Sequence, residues 1–182
     1  MGIGIILDLI ILFAFIGGVL WNMRRGFIRA LIGLLMLFLS TTFAALLYTP
    51  IITWFSNVME KPGSGRTGGA FVFAGLLIVF YAVLEVVVSR NYPQLGVRRL
   101  GMWDNILGAV VGVVWSLLVV SLVLLVMDFA SISIGGDVSF VGDLLRTSLL
   151  VKVFRAFFQI PLAPIRLLFP AGLPEVLRYF AR

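Results

Sequence analysis

Three carboxylates, Asp8, Glu85 and Asp104, stand in or at the head of long apolar runs, in a chain of 182 residues that contains no histidine and no cysteine. A carboxylate in such a setting has three uses: to carry a proton, to bind a cation, or to accept hydrogen bonds that fix helices to one another. The missing residues remove most other chemistry. Without His or Cys there is no thiolate nucleophile, no disulfide framework, no Ser-His-Asp or Cys-His arrangement, and little from which to build a transition-metal site. The spacing places no two of the three carboxylates at one depth, which removes paired acid-base catalysis, and no phosphate-cradling glycine loop is present. The residues predict a non-enzymatic protein with no cofactor and no metal.

Hydropathy sets the elements that hold these carboxylates. Hydrophobic residues make up 62% of the chain and charged residues 12%, against an apolar share of about 45–50% in soluble domains. About 20 apolar residues cross a hydrocarbon layer of roughly 30 Å, and four runs reach that length: 1–21, 27–48, 68–88 and 106–127. The predicted fold class is all-α: an integral membrane protein with four transmembrane helices over 1–127, followed by an amphipathic C-terminal helix in an extracytoplasmic tail, 128–182. Arg24 and Arg25 follow the first run where a signal peptide would carry a cleavage site, so the run is expected to remain as a helix.

Arginine sets the orientation. Arg24, Arg25 and Arg29 cluster at the first turn and Arg90, Arg98 and Arg99 after the third run, whereas EKPGSGRTGG, between the second and third runs, carries only Lys61 and Arg66. Basic residues in short loops favour the cytoplasmic side, which predicts both termini outside. Anionic headgroups or a partner protein offer the same arginines a second use, and the pI near 10.5 points to a membrane surface rather than to nucleic acid. In the tail, Ser148, Lys152, Arg155 and Gln159 recur at helical spacing on one narrow face of an otherwise apolar segment. Such a helix either lies in the interface, with Lys152 and Arg155 toward headgroups, or packs against the bundle.

Asp104 opens the stretch DNILGAVVGVVW and is placed to cap the fourth helix at its N-terminus. Gly108, Gly112 and Ser116 follow at intervals of four and form a face for close helix approach, within the bundle or between protomers. Asp8 lies deep, because a helix begun there would reach only about 21 Å to Trp21. It is expected in the outer leaflet, facing protein or a wet cavity. Counting back from the NMRRG turn, an antiparallel hairpin brings Ser40, Thr41 and Thr42 to its level as hydrogen-bond partners. Asp8 is then either a proton or ion site or a buried carboxyl that stabilises the hairpin. Glu85, within a turn of the cytoplasmic end of the third run, is in reach of Arg90 or the Arg25 turn and can snorkel.

Asp8 early in the first run, RRGFIRAL with Arg25, Gly26, Phe27 and Arg29, and DNILGAVVG with Asp104, Leu107, Gly108 and Gly112 carry a resemblance. In order and spacing, across most of the first 130 residues, they resemble the colicin V production protein family of bacterial inner-membrane proteins. TSLLVKVF, with Ser148 and Leu150, resembles that family's post-membrane helix more loosely. One departure is visible: where the family carries a basic residue and Gly a turn after the second glycine, this chain has Trp115 and Ser116. The resemblance implies an inner-membrane accessory protein of toxin production or export and envelope homeostasis. Its implied partners are membrane lipids, further copies of the chain or other inner-membrane proteins. The residues also leave open a small oligomeric channel or transporter that uses Asp8 as its ion or proton site.

Overall fold

A computed structural model describes residues 2–59, 65–91, 102–131, 145, 147–157 and 177. Four long helices follow one another, α1 (Gly2–Arg25), α2 (Phe27–Met59), α3 (Gly65–Asn91) and α4 (Met102–Ser131), and residues 149–157 form a short fifth helix, α5. Each long helix contains a window long and apolar enough to cross a membrane: Gly4–Arg25, Phe27–Trp54, Gly68–Asn91 and Met102–Ala130. Among the described residues the fold is therefore helical, with four helices long and apolar enough to cross a membrane, as the hydropathy predicts.

The helices outrun the predicted spans. α2 continues past Tyr48 and through Pro50 to Met59, α3 starts at Gly65 inside the stretch expected as a loop, and α4 extends from Met102 to Ser131. Hydropathy marks where lipid ends. A helix goes on beyond that point, because its backbone groups stay paired until water or a turn takes them, and proline is tolerated within such helices. Exposed tryptophans mark both ends of the bundle, Trp21 and Trp103 at one and Trp54 at the other, as expected of interfacial aromatic belts.

α4 is the central element. α1 and α2 are joined by Gly26 alone, whose φ of 81° suits a residue without a Cβ, yet they make few contacts with each other, and α1 seats along α4 instead. Trp115 fills the fork between them, with its ring 3.5 Å from where a Cβ of Gly18 on α1 would lie and its Nε1 3.8 Å from the same point at Gly33 on α2. α2, α3 and α4 enclose the main core, which includes Leu37, Ala44, Tyr48, Phe73, Leu125 and Phe129.

The described part of the tail packs on this bundle, which decides between the two placements open to it. Leu177 is buried in the main core. Leu145, Val151 and Phe154 close a second core against Ile11 of α1 and Val120 and Leu124 of α4. Arg98, Arg99 and Gln159 lie outside the described residues.

Candidate functional site

Asp104 corrects the first expectation. It stands in the opening turn of α4, which begins at Met102, and its Oδ1 accepts the backbone N–H of Phe27 at 2.9 Å. Asp104 therefore caps α2, not its own helix. The turn before α2 makes this possible, because a side chain at Gly26 would occupy the space of the Asp104 carboxylate. The N-termini of α2 and α4 meet here, and one negative charge complements both helix dipoles. Asp104→Ala is expected to lower stability by about 1 kcal/mol, read as a lower thermal midpoint in detergent, whereas Asp104→Asn keeps an acceptor for Phe27 and loses less.

Above this joint, the predicted small-residue face lies against α1 of the same chain. A Cβ at Gly108 would come within 3.0 Å of the Asn22 carbonyl oxygen and the Gly26 backbone, and one at Gly112 within 2.8 Å of the Asn22 Cβ and 3.2 Å of the Val19 carbonyl oxygen. Ser116, also buried, faces Gly18. Asn22, buried in this seam, turns its Nδ2 back onto the Gly18 carbonyl at 2.9 Å.

Asp8 is joined to the tail rather than to α2. Its Oδ1 accepts the Ser148 hydroxyl and, at 3.2 Å, the backbone N–H of Leu150, while Ser148 Oγ accepts the N–H of Val151 at 3.2 Å. Ser148 thus caps α5 from within and Asp8 caps it from α1, where a negative charge is favoured. The expected bonds from Ser40, Thr41 and Thr42 to Asp8 are not formed. Those hydroxyls donate to the carbonyls one turn back, Met36 at 2.6 Å, Leu37 at 2.8 Å and Phe38 at 3.0 Å. The reason is twofold: α1 and α2 diverge from their turn, and a hydroxyl inside a helix has a local acceptor always in reach.

Further contacts hold α5 that the sequence did not suggest. The Phe154 ring meets Phe15 edge-on with centroids 6.0 Å apart, its carbonyl accepts Ser121 Oγ at 3.2 Å, and Arg155 pairs with the buried Asp128. Lys152 is exposed. At the opposite end of the bundle, Arg25 lies 3.5 Å from Glu85 and 5.0 Å from the Trp21 ring centroid. This pair, with side chains 26% and 28% exposed, contributes about 0–1 kcal/mol. Arg24 and Arg29 are exposed beside it.

A cleft of about 320 Å³ runs along the other flank of the α1/α4 seam, lined by residues that include Ile10, Ala14, Trp115, Ser116, Val119 and Val123. Its lining contains no ionisable residue, and Asp8 and Phe15, which contact α5, are not part of it. Among the described residues no group of three or more Asp, Glu, His or Cys side chains could hold a metal ion.

Comparison with curated proteins and with solved structures finds no match. A family model described as colicin V production protein matches residues 7–158. The matched region opens one residue before Asp8 and closes just beyond α5, so Asp8, Asp104 and the helix that Asp8 holds all lie within it. This multi-pass membrane protein belongs to the colicin V production protein family.

Proposed function

We propose that the protein is a non-enzymatic accessory of the bacterial cytoplasmic membrane, with both termini outside, acting in toxin production or export and in envelope maintenance. One observation carries the non-transport part of this reading. Asp8, Glu85, Asp104 and Asp128 are each engaged in a joint between two elements, to α5, to Arg25, to the start of α2 and to Arg155 respectively. A carboxylate that carries ions needs a wet route to both sides, and the cleft beside Asp8's helix is apolar. Membership of the family supports the process, and the gathering of Arg24, Arg25 and Arg29 at the α1/α2 turn supports the orientation.

Complementation of a deletion strain tests the reading. Wild-type and Asp8→Asn genes are both expected to restore toxin release and survival under envelope stress, because Asn keeps an acceptor for Ser148 and Leu150. An Asp8→Asn protein present at normal abundance yet wholly inactive would instead support the channel or transporter.

A further inference from the structure

The basic face of α5 is only partly engaged. Ser148 is held by Asp8 and Arg155 by Asp128, while Lys152 remains exposed between Leu149 and Val153, which are 71% and 60% exposed. Among the described residues no carboxylate is paired with it. An exposed lysine on a soluble protein needs no explanation, but this one stands beside helices long and apolar enough to cross a membrane.

Its depth follows from its neighbours. Ser148 meets Asp8, four residues inside the apolar window that begins at Gly4, or about 6 Å along the helix. Phe154 meets Phe15 on α1 and Ser121 on α4, which lie about 16 Å and 13 Å from the same end of their windows. α5 therefore runs alongside the apolar windows of α1 and α4, and Lys152 stands two residues before the contact with Phe15 and Ser121. The lysine stem can carry the ammonium only part of the way back to the surface. A cation so placed is costly unless an anion or water comes down to meet it.

We infer that Lys152 holds the phosphate of a phospholipid from the leaflet at the Asp8 end of the bundle, drawn inward along the exposed face of α5. The chemistry fits on both sides: the ammonium needs an anion, and Leu149, Val153 and Ala156 offer the acyl chains an apolar bed. A second copy of the chain is the poorer occupant, since its described intramembrane carboxylates are engaged within their own fold. The leaflet is pinched where this lipid sits, in the way bilayers thin around embedded charges.

Native mass spectrometry of the full-length protein tests this, after release from nanodiscs of phosphatidylcholine containing phosphatidylglycerol. Wild type is expected to retain phosphatidylglycerol, with occupancy falling about fivefold in Lys152→Met, the size of one basic contact with an anionic lipid, and persisting in Lys152→Arg. Lys152→Met leaves the docked face of α5 untouched, and an unchanged thermal midpoint shows that the fold is kept. Equal phosphatidylglycerol retention in wild type and Lys152→Met overturns the inference. So does displacement of the lipid by millimolar inorganic phosphate, and so does carbodiimide cross-linking of Lys152 to a carboxylate of another protein in native membranes.

Discussion

Gly112→Ile is expected to force α1 away from α4 and to lower the stability of the fold by about 1–3 kcal/mol. Its Cβ alone would come within 2.8 Å of the Asn22 Cβ and 3.2 Å of the Val19 carbonyl oxygen. A clash with a neighbour's backbone has no rotamer change to relieve it, so the two helices must separate. Overpacking a tight core costs about 1–3 kcal/mol. Adding Gly108→Ile, which meets the Asn22 and Gly26 backbones at 3.0 Å, brings the loss to about 3 kcal/mol or more, a large part of the stability of a small domain. The measurements are thermal midpoint and monodispersity in detergent. Gly17→Ile and Gly75→Ile are the controls. A Cβ at either position meets nothing within 4 Å, and changes of about 0.5 kcal/mol or less are expected there, as for ordinary surface substitutions. Equal damage at all four positions would show that glycine matters here for helix flexibility and not for the seam.

The second large effect is at Asp8. Asp8→Ala removes the acceptor of the Ser148 hydroxyl and the Leu150 N–H, two donors in an apolar setting that cost about 1–3 kcal/mol each when left unpaired. α5 should then open far more often. Trypsin cleavage at Lys152 or Arg155 reads this, with a rate at least about tenfold above wild type, as expected of about 1.4 kcal/mol. Asp8→Asn keeps the oxygen acceptor and should stay close to wild type. If Asp8→Ala leaves the cleavage rate unchanged, Asp8 does not hold the tail.

What the sequence made legible follows from the range over which each signal acts. The spans were legible because burial in lipid acts on every residue of a run. The seam was legible because Gly108, Gly112 and Ser116 repeat at a spacing with one geometric meaning, although nothing in α4 names Gly18 and Asn22 of α1 as the opposing surface. Asp104 bonds the first amide of α2, whereas its place in the sequence points to α4. Local pattern links it to the turn that follows, whereas the unpaired amide nearest its carboxylate belongs to Phe27, 77 residues earlier. The hydrogen-bonding partner expected for Asp8 failed in the same way. Depth counting assumed that helices joined by one residue stay together, and the wedge of Trp115 in their fork undoes that assumption. Asp128 ends an apolar run, and its pairing with Arg155 spans 27 residues, some of them without helical pattern. No periodicity carries information across such a gap.

The Trp115 and Ser116 departure from the family pattern has a physical consequence. A bulky ring and a small hydroxyl at successive positions let α4 hold α1 and α2 apart on one side while closing on α1 at the other. A basic residue in place of Trp115 would put a charge between Gly18 and Gly33, inside the fork.

On the proposed function, the intramembrane carboxylates fasten helices to one another and carry no ions. Proton entry into vesicles bearing the purified protein, under an imposed pH gradient and with potassium and valinomycin to clamp the potential, tests this most directly. The account predicts the same flux as in protein-free vesicles for wild type and for Asp8→Asn. A flux seen with wild type and lost in Asp8→Asn, with the fold intact, would contradict it.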